Sequence, residues 1–240
     1  MRRRVVQVVA FTAVIAAVAV GCTSSPTVPP GELPYGGTPE YCPYDDLVVQ
    51  SNGDSIGVGY TNMLRLPAQY SLFNAAQGAA TFTLSFSVPL ISERVQQWIE
   101  QCGNPGVVVI EGGIIDLTYG VPLEAIEAAV TQLSDWLEAR GVPTVWLGIH
   151  PFPKVSPYMA HNANRQAYNE WLTTPGNVWG AAVDCTPVLE DPANPGTMNP
   201  AYWKIVDLFG SPDGLHPNTA GYTTMAECVK PLILDALTAA

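Results

Sequence analysis

Positive charge is scarce in this chain. Ten Lys and Arg stand against 21 Asp and Glu, for a formal net charge of −11. Phosphate backbones and anionic headgroups would repel such a surface, which excludes nucleic acid as a partner and excludes membrane binding through a basic patch. Zinc-ligand spacing is also missing. There is no C-x-x-C, and the three histidines, His150, His161 and His216, lie apart from the five cysteines. No metal and no organic cofactor is expected. Internal repeats are absent too. The one long apolar run, from Val5 to Val20, is shorter than the ~20 residues a membrane-spanning helix needs.

That run follows Arg2, Arg3 and Arg4 and ends in Ala19-Val20-Gly21-Cys22. A basic start, an apolar stretch and small residues at the end describe an export signal. The end resembles a bacterial lipobox. The resemblance implies that residues 1–21 are removed and that Cys22 carries a diacylglyceryl group on its sulfur. The protein is then expected on the outer face of a bacterial cell membrane, held there by lipid. Losing three arginines and no acid takes the formal charge from −11 to −14. Residues 22–41, rich in Ser, Thr, Pro and Gly, read as a tether with too little apolar surface to order itself. The folded domain is expected over 42–240, ample for one sizeable core.

Within it, strand and helix patterns alternate. Short apolar runs at Leu47–Ser51, Ser71–Ala75, Val107–Ile110, Thr144–Ile149 and Val178–Asp184 predict five strands of a parallel sheet covered on both faces. Ile91, Val95, Trp98 and Ile99 share a helical face. Leu123, Ile126, Val130, Leu133 and Leu137 do the same, with Pro122 at an N1-like position and Gly141 as a stop. Shorter and longer helices are expected at 165–172 and 221–237. The class is α/β, a three-layer α/β/α sandwich. The Pro- and Asn-rich stretches 152–164 and 186–213 read as long, functional loops.

Two short segments carry chemistry. Ser55 follows the first strand in Asn52-Gly53-Asp54-Ser55-Ile56-Gly57. A serine hydroxyl becomes a nucleophile only with a base in reach and an acid that orients the base. Asp213-Gly214-Leu215-His216-Pro217 supplies both, three residues apart, on a loop expected to enter the last helix. Gly53 to Gly57 also fits the G-x-S-x-G elbow, but that elbow needs several strands before it. A trypsin-like order fails because no histidine precedes Ser55.

Gly53-Asp54-Ser55 near one end and Asp213-x-x-His216 at the other resemble the GDSL/SGNH hydrolase superfamily, over the whole domain. Asn74-Ala75-Ala76-Gln77-Gly78 resembles the family's second block. The resemblance implies a flavodoxin-like sheet of order 2-1-3-4-5. It implies Ser55 as nucleophile, His216 as base and Asp213 as its orienting acid, with the N–H groups of Ser55 and Gly78 as oxyanion donors. It implies a serine esterase acting through an acyl-serine on esters of envelope glycans or lipids. An O-acyltransferase using the same acyl-enzyme, or a binding lipoprotein with weakened catalysis, are the alternatives. The family's strand order puts Cys42 and Cys102 at the same end of adjacent strands. A Cys42–Cys102 bridge is therefore implied, leaving Cys185–Cys228 to pin the last helix.

One block departs from the pattern. Gly113-Ile114-Ile115-Asp116 has Ile115 where G-x-N-D places the asparagine that donates to the oxyanion. Losing one such donor typically costs ~10²–10³ in kcat. Tyr119, or an asparagine at 162 or 164, is a candidate substitute. Asp54 and Asp116 read as supports of the site, His150 as a structural histidine, His161 as solvated and Asp184 as a loop cap. Phe82, Phe86, Trp179, Tyr202 and Trp203 read as core residues or as the lining of an acyl pocket.

Overall fold

The computed structural model describes residues 47–206 and 211–239. The expected signal segment 1–21, Cys22, the tether 22–41 and Cys42 lie outside them.

Three strands of the main sheet are buried along their whole length: β1 (Val48–Asn52), β3 (Val107–Glu111) and β4 (Thr144–Leu147). Strands whose two faces are both covered need continuous apolar runs, and only a parallel sheet between helix layers buries them so. With β2 (Ser71–Asn74) and β6 (Ala181–Val183) they form one parallel sheet of order β2-β1-β3-β4-β6. Numbered within the sheet, this is the expected 2-1-3-4-5.

The period of two along each strand divides the core. Val108 and Ile110 of β3 face one layer, built from α2 (Ile91–Cys102), α4 (Leu123–Glu138) and α5 (Asn162–Thr173), with the short α3 (Ile114–Thr118) at its edge. Val107 and Val109 face the other layer, built from α1 (Ser55–Met63), α7 (Thr219–Ala239) and the single turn α6 (Thr186–Leu189). Pro122 stands at the N-cap of α4, one position before the expected N1.

β2 ends one residue short of its run, and two strands are shorter by more, because side chains take the backbone groups that a ladder would need. Asn169 of α5 accepts from the N–H of Ile149 and donates to its C=O, both at 2.8 Å, so β4 stops at Leu147. The carbonyl of Trp179 accepts from Trp146 Nε1 at 2.9 Å and from Thr144 Oγ1. A Cβ on Gly180 would lie 2.3 Å from the Thr144 carbonyl. That close approach delays β6 to Ala181.

The two expected loops contain structure. Stretch 152–164 holds β5 (Phe152–Pro153), a 3₁₀ turn over Pro157–His161 and the start of α5. Stretch 186–213 holds α6, then β7 (Glu190–Asp191) and β8 (Asn194–Met198), which join β5 in a small sheet. After a 3₁₀ turn at Pro200–Tyr202 comes a hairpin of β9 (Trp203–Ile205) and β10 (Pro212–Pro217). Asp213 and His216 therefore stand on a strand, not on a loop. A disulfide joins Cys185, just before α6, to Cys228 of α7, with Cα atoms 6.1 Å apart. Cys102 is itself disulfide-bonded; Cys42, the partner expected for it, is outside the described residues. No helix among the described residues is long and apolar enough to cross a membrane.

Candidate active site

The carboxyl ends of β1, β3 and β4 open onto one edge of the sheet, where ligands of open α/β folds bind. β1 ends at Asn52, and two residues later Asp54 caps α1, its Oδ1 accepting from the Ile56 N–H at 2.8 Å. Ser55 is the first residue of α1. The first N–H groups of a helix have no partner within the helix, and the peptide dipoles make that end positive. Ser55 thus joins a hydroxyl and a backbone donor at an end that favours negative charge.

Its hydroxyl meets the far end of the chain. Ser55 Oγ lies 2.9 Å from His216 Nε2, across 161 residues of sequence. His216 Nδ1 lies 2.8 Å from Asp213 Oδ2. The other oxygen, Oδ1, accepts from the N–H groups of Leu215 (2.9 Å) and His216 (2.7 Å). Burial raises the Asp213 carboxyl, but the His216 ring and these two N–H groups outweigh it and hold it below the usual range. An ionised Asp213 accepts only. Nδ1 must then carry the imidazole proton, leaving the Nε2 lone pair for the Ser55 hydroxyl.

The β10 segment is gripped from beneath. Ser156 Oγ donates to the Gly214 carbonyl, and His150 Nε2 lies 2.7 Å from the Leu215 carbonyl. Since a carbonyl only accepts, His150 carries its proton on Nε2. It is 1% exposed, and burial drives it down to about 4, so it stays neutral. Gly214 adopts φ +84°, and a Cβ there would press on Pro157 at 3.2 Å. His150 and Ser156 hold the two carbonyls between the acid and the histidine. The sequence suggested a structural role for His150 but not its partner. Lys204, which the sequence did not single out, sits on β9 with Nζ 3.6 Å from Asp213 Oδ2.

Gly78 stands over the serine: a Cβ on it would lie 4.0 Å from Ser55 Cβ. The loop that carries it is tightly fixed. Ala75 N–H donates to Ser51 O at 2.7 Å and Gln77 N–H to Gly53 O at 2.8 Å. Arg94 of α2 donates to the Ala75 carbonyl through Nε (3.1 Å) and Nη2 (2.6 Å), and to Gln77 Oε1 through Nη1. Ala79 has φ +67°, alone among the described non-glycine residues. Such a conformation costs about 1 kcal/mol and persists where its surroundings over-determine it. No sequence motif marks Arg94.

Ile115 is the second residue of α3, its side chain packed against the larger core cluster. Tyr119, 69% exposed, packs its ring on Phe86 at 5.2 Å, and Asn162 Oδ1 accepts from Arg165 Nε. Asp116 accepts from the N–H groups of Phe82 and Thr83 and from the Thr83 hydroxyl, tying the 81–83 loop to α3. Asp184 accepts from the Thr186 N–H, as a cap of α6. His161 ends its 3₁₀ turn, half-buried. Phe82 is core. Trp179 bonds the Val142 carbonyl, at the opposite end of β4 from the site, and Trp203 bonds Met198 O. Tyr202 packs against Gly221 at the start of α7. Among the described residues no group of three or more His, Cys, Asp or Glu is arranged to hold a metal ion.

Residues 52–224 match the family model of the GDSL-like lipase/acylhydrolases. The chain belongs to this family. Its members are carboxylic ester hydrolases, and the sheet order agrees. No curated protein sequence matches the chain. Solved structures with the same fold include a GDSL-like lipase from Bacteroides thetaiotaomicron, 17% identical, TM-score 0.56, covering 80% of this chain and 89% of that one. TesA is 18% identical with a TM-score of 0.54, covering 79% and 99%. An acetyl esterase variant solved with an acetate ion is 15% identical, TM-score 0.54, covering 80% and 99%.

His150 generates a prediction. Its folded value near 4 lies below the ordinary 6.5, so the unfolded chain takes up a proton that the fold refuses. Its contribution to stability is complete above pH 6.5 and is lost as the pH falls toward 4, a difference worth about 3 kcal/mol. His150→Gln keeps a donor for the Leu215 carbonyl and cannot be protonated. Relative to wild type, its melting temperature should fall less between pH 6.5 and 4. Parallel curves would show that His150 does not titrate as a buried neutral group. Comparing the two proteins cancels the opposite contribution of Asp54, which is raised to about 6.

Proposed function

We propose that this member of the family is a serine esterase with Ser55 as nucleophile, His216 as general base and Asp213 as the acid that orients it. The observation that carries this reading is the continuous pair of bonds, 2.9 Å from Ser55 Oγ to His216 Nε2 and 2.8 Å from His216 Nδ1 to Asp213 Oδ2. Ser55 Oγ attacks the ester carbonyl while Nε2 takes its proton. Asp213 stabilises the imidazolium without itself becoming protonated. The N–H groups of Ser55 and Gly78 hold the oxyanion. As the C–O bond breaks, Nε2 returns the proton to the leaving alcohol. Water, deprotonated by His216, then attacks the acyl-serine; as the acyl–Oγ bond breaks, Nε2 returns that proton to Ser55 Oγ and the acid is released. Ser55→Ala should abolish both fluorophosphonate labelling and ester turnover, with an unchanged melting profile. Labelling that persists in the variant would place the nucleophile elsewhere.

Ile115 favours a second reading, in which the site binds esters but turns them over slowly. An aliphatic side chain cannot donate to the oxyanion. Ile115→Asn tests it. If the hole has merely lost a partner, kcat should rise, by up to ~10²-fold, with KM changing less. If the rigid 74–80 loop already meets the need, kcat should stay flat or fall, because a polar amide then replaces a packed side chain. The intact serine, histidine and aspartate favour the second outcome.

The substrate class follows from the export reading. A domain held to the outer membrane face by a lipid on Cys22 would meet acylated glycans and lipids of the envelope. Cys22→Ser should release the protein from the membrane fraction. A variant that still sediments with membranes would contradict a lipid anchor at that residue.

A further inference from the structure

Beneath Ser55 two acids are buried together. Asp54, at the N-cap of α1, and Glu111, the last residue of β3, are 0% and 1% exposed. Asp54 Oδ2 and both Glu111 carboxyl oxygens have no hydrogen-bond partner in good geometry, although the N–H groups of Asp54 and Gly57 face the Glu111 carboxyl. Glu111 enters under the first turn of α1 between two glycines. A Cβ on Gly53 would lie 3.0 Å from Glu111 Oε2, and one on Gly57 would lie 3.4 Å from the same atom. The glycines of Gly53-Asp54-Ser55-Ile56-Gly57, which mimic a strand-to-helix elbow, here make room for a carboxyl group.

Besides each other, the charged groups that act most strongly on the pair are Asp116 of α3 and His216 of β10, with Tyr60 of α1 and Tyr168 of α5 as neutral neighbours. Neither carboxyl is bonded to a lysine or arginine among the described residues. Two adjacent carboxylates without a cation cannot both stay ionised in a buried site. One proton shared between them removes a charge and gives the orphaned Asp54 oxygen a donor. Asp54 is the better anion of the two. Its Oδ1 already accepts from the Ile56 N–H, it stands at the positive end of a helix, and it feels His216.

We propose that Glu111 is a positioning residue that stays protonated in the working enzyme, its carboxyl O–H donating to Asp54 Oδ2 and so holding the first turn of α1, and Ser55 with it, in place. Burial, and then the charge of Asp54, push Glu111 well above the ordinary carboxyl range, in keeping with this arrangement. The ionised Asp54 also adds a fixed negative charge that favours the imidazolium formed at His216.

The catalytic half of this inference rests on Ser55 as nucleophile; the proton on Glu111 does not. Infrared spectra at neutral pH should show the C=O stretch of a protonated carboxylic acid that disappears in Glu111→Gln. Glu111→Leu removes the donor and should lower kcat at least about tenfold by letting the serine shift. Glu111→Gln keeps a donor and should restore most of that loss. The alkaline fall in kcat caused by Glu111 ionisation should be missing from Glu111→Gln, which has no proton to lose. Absence of the infrared band from wild type overturns the proposal, as does a Glu111→Gln variant no more active than Glu111→Leu. Wild-type kcat in both variants would show that Glu111 positions nothing. If Glu111→Leu does not fold, the band and the alkaline limb of Glu111→Gln still decide. A band present alongside an active Ser55→Ala would refute the nucleophile assignment and leave the buried proton standing.

Discussion

A single 2.9 Å hydrogen bond, between Ser55 and His216, is the contact to which the rest of the structure is subordinate. Its two ends come from opposite termini of the domain, so nothing local holds them together. The serine is fixed by β1 and the N-cap of α1. The histidine is fixed by a hairpin that lies outside the main sheet. What brings them into register is the packing of α1 and α7 on the same face of the sheet, through Ile56, Tyr60, Met225 and Val229. The Cys185–Cys228 bridge ties α7 to the segment after β6. A hydrogen bond tolerates only a few tenths of an ångström before it weakens, so a loosened α7 would be felt at Ser55 before it was felt in the core.

Much of this was legible in the residues. Five apolar runs gave five parallel strands, since a strand covered on both faces leaves a run that no surface strand would carry. The serine and the Asp-x-x-His pair were legible because the chemistry demands those residue types. What was not legible depended on side chains reaching backbone from distant sequence. Asn169 ends β4 and the Trp179 carbonyl delays β6, and no periodicity records either contact. Arg94 grips the Gly78 loop from α2, while Lys204 faces Asp213 from β9; each looks like an ordinary surface cation when read alone. Glu111 lies one residue past the apolar run 107–110, and no motif singles it out. Its placement under α1 required the glycines at 53 and 57 to be seen in space.

In the proposed mechanism a missing donor changes the demands on those that remain. With an isoleucine at 115, that mechanism leaves the developing charge to backbone N–H groups, whose value depends on preorganisation more than on number. The 74–80 loop has the required stiffness. Two backbone and three guanidinium hydrogen bonds pin it, and it holds an alanine in a conformation that alanine disfavours.

Lys204 connects the site to the solution around it. Its side chain is 49% exposed, and its ammonium group shares with His216 the same oxygen of Asp213. Part of the carboxylate's charge is therefore drawn toward solvent, away from the imidazolium. The bonds that hold Asp213 in place are short and sheltered and respond little to dissolved ions, whereas a half-exposed cation at 3.6 Å is screened by them. Ionic strength thus reaches this site through Lys204. Dilute surroundings let Lys204 compete for Asp213, and saline ones return that charge to the histidine.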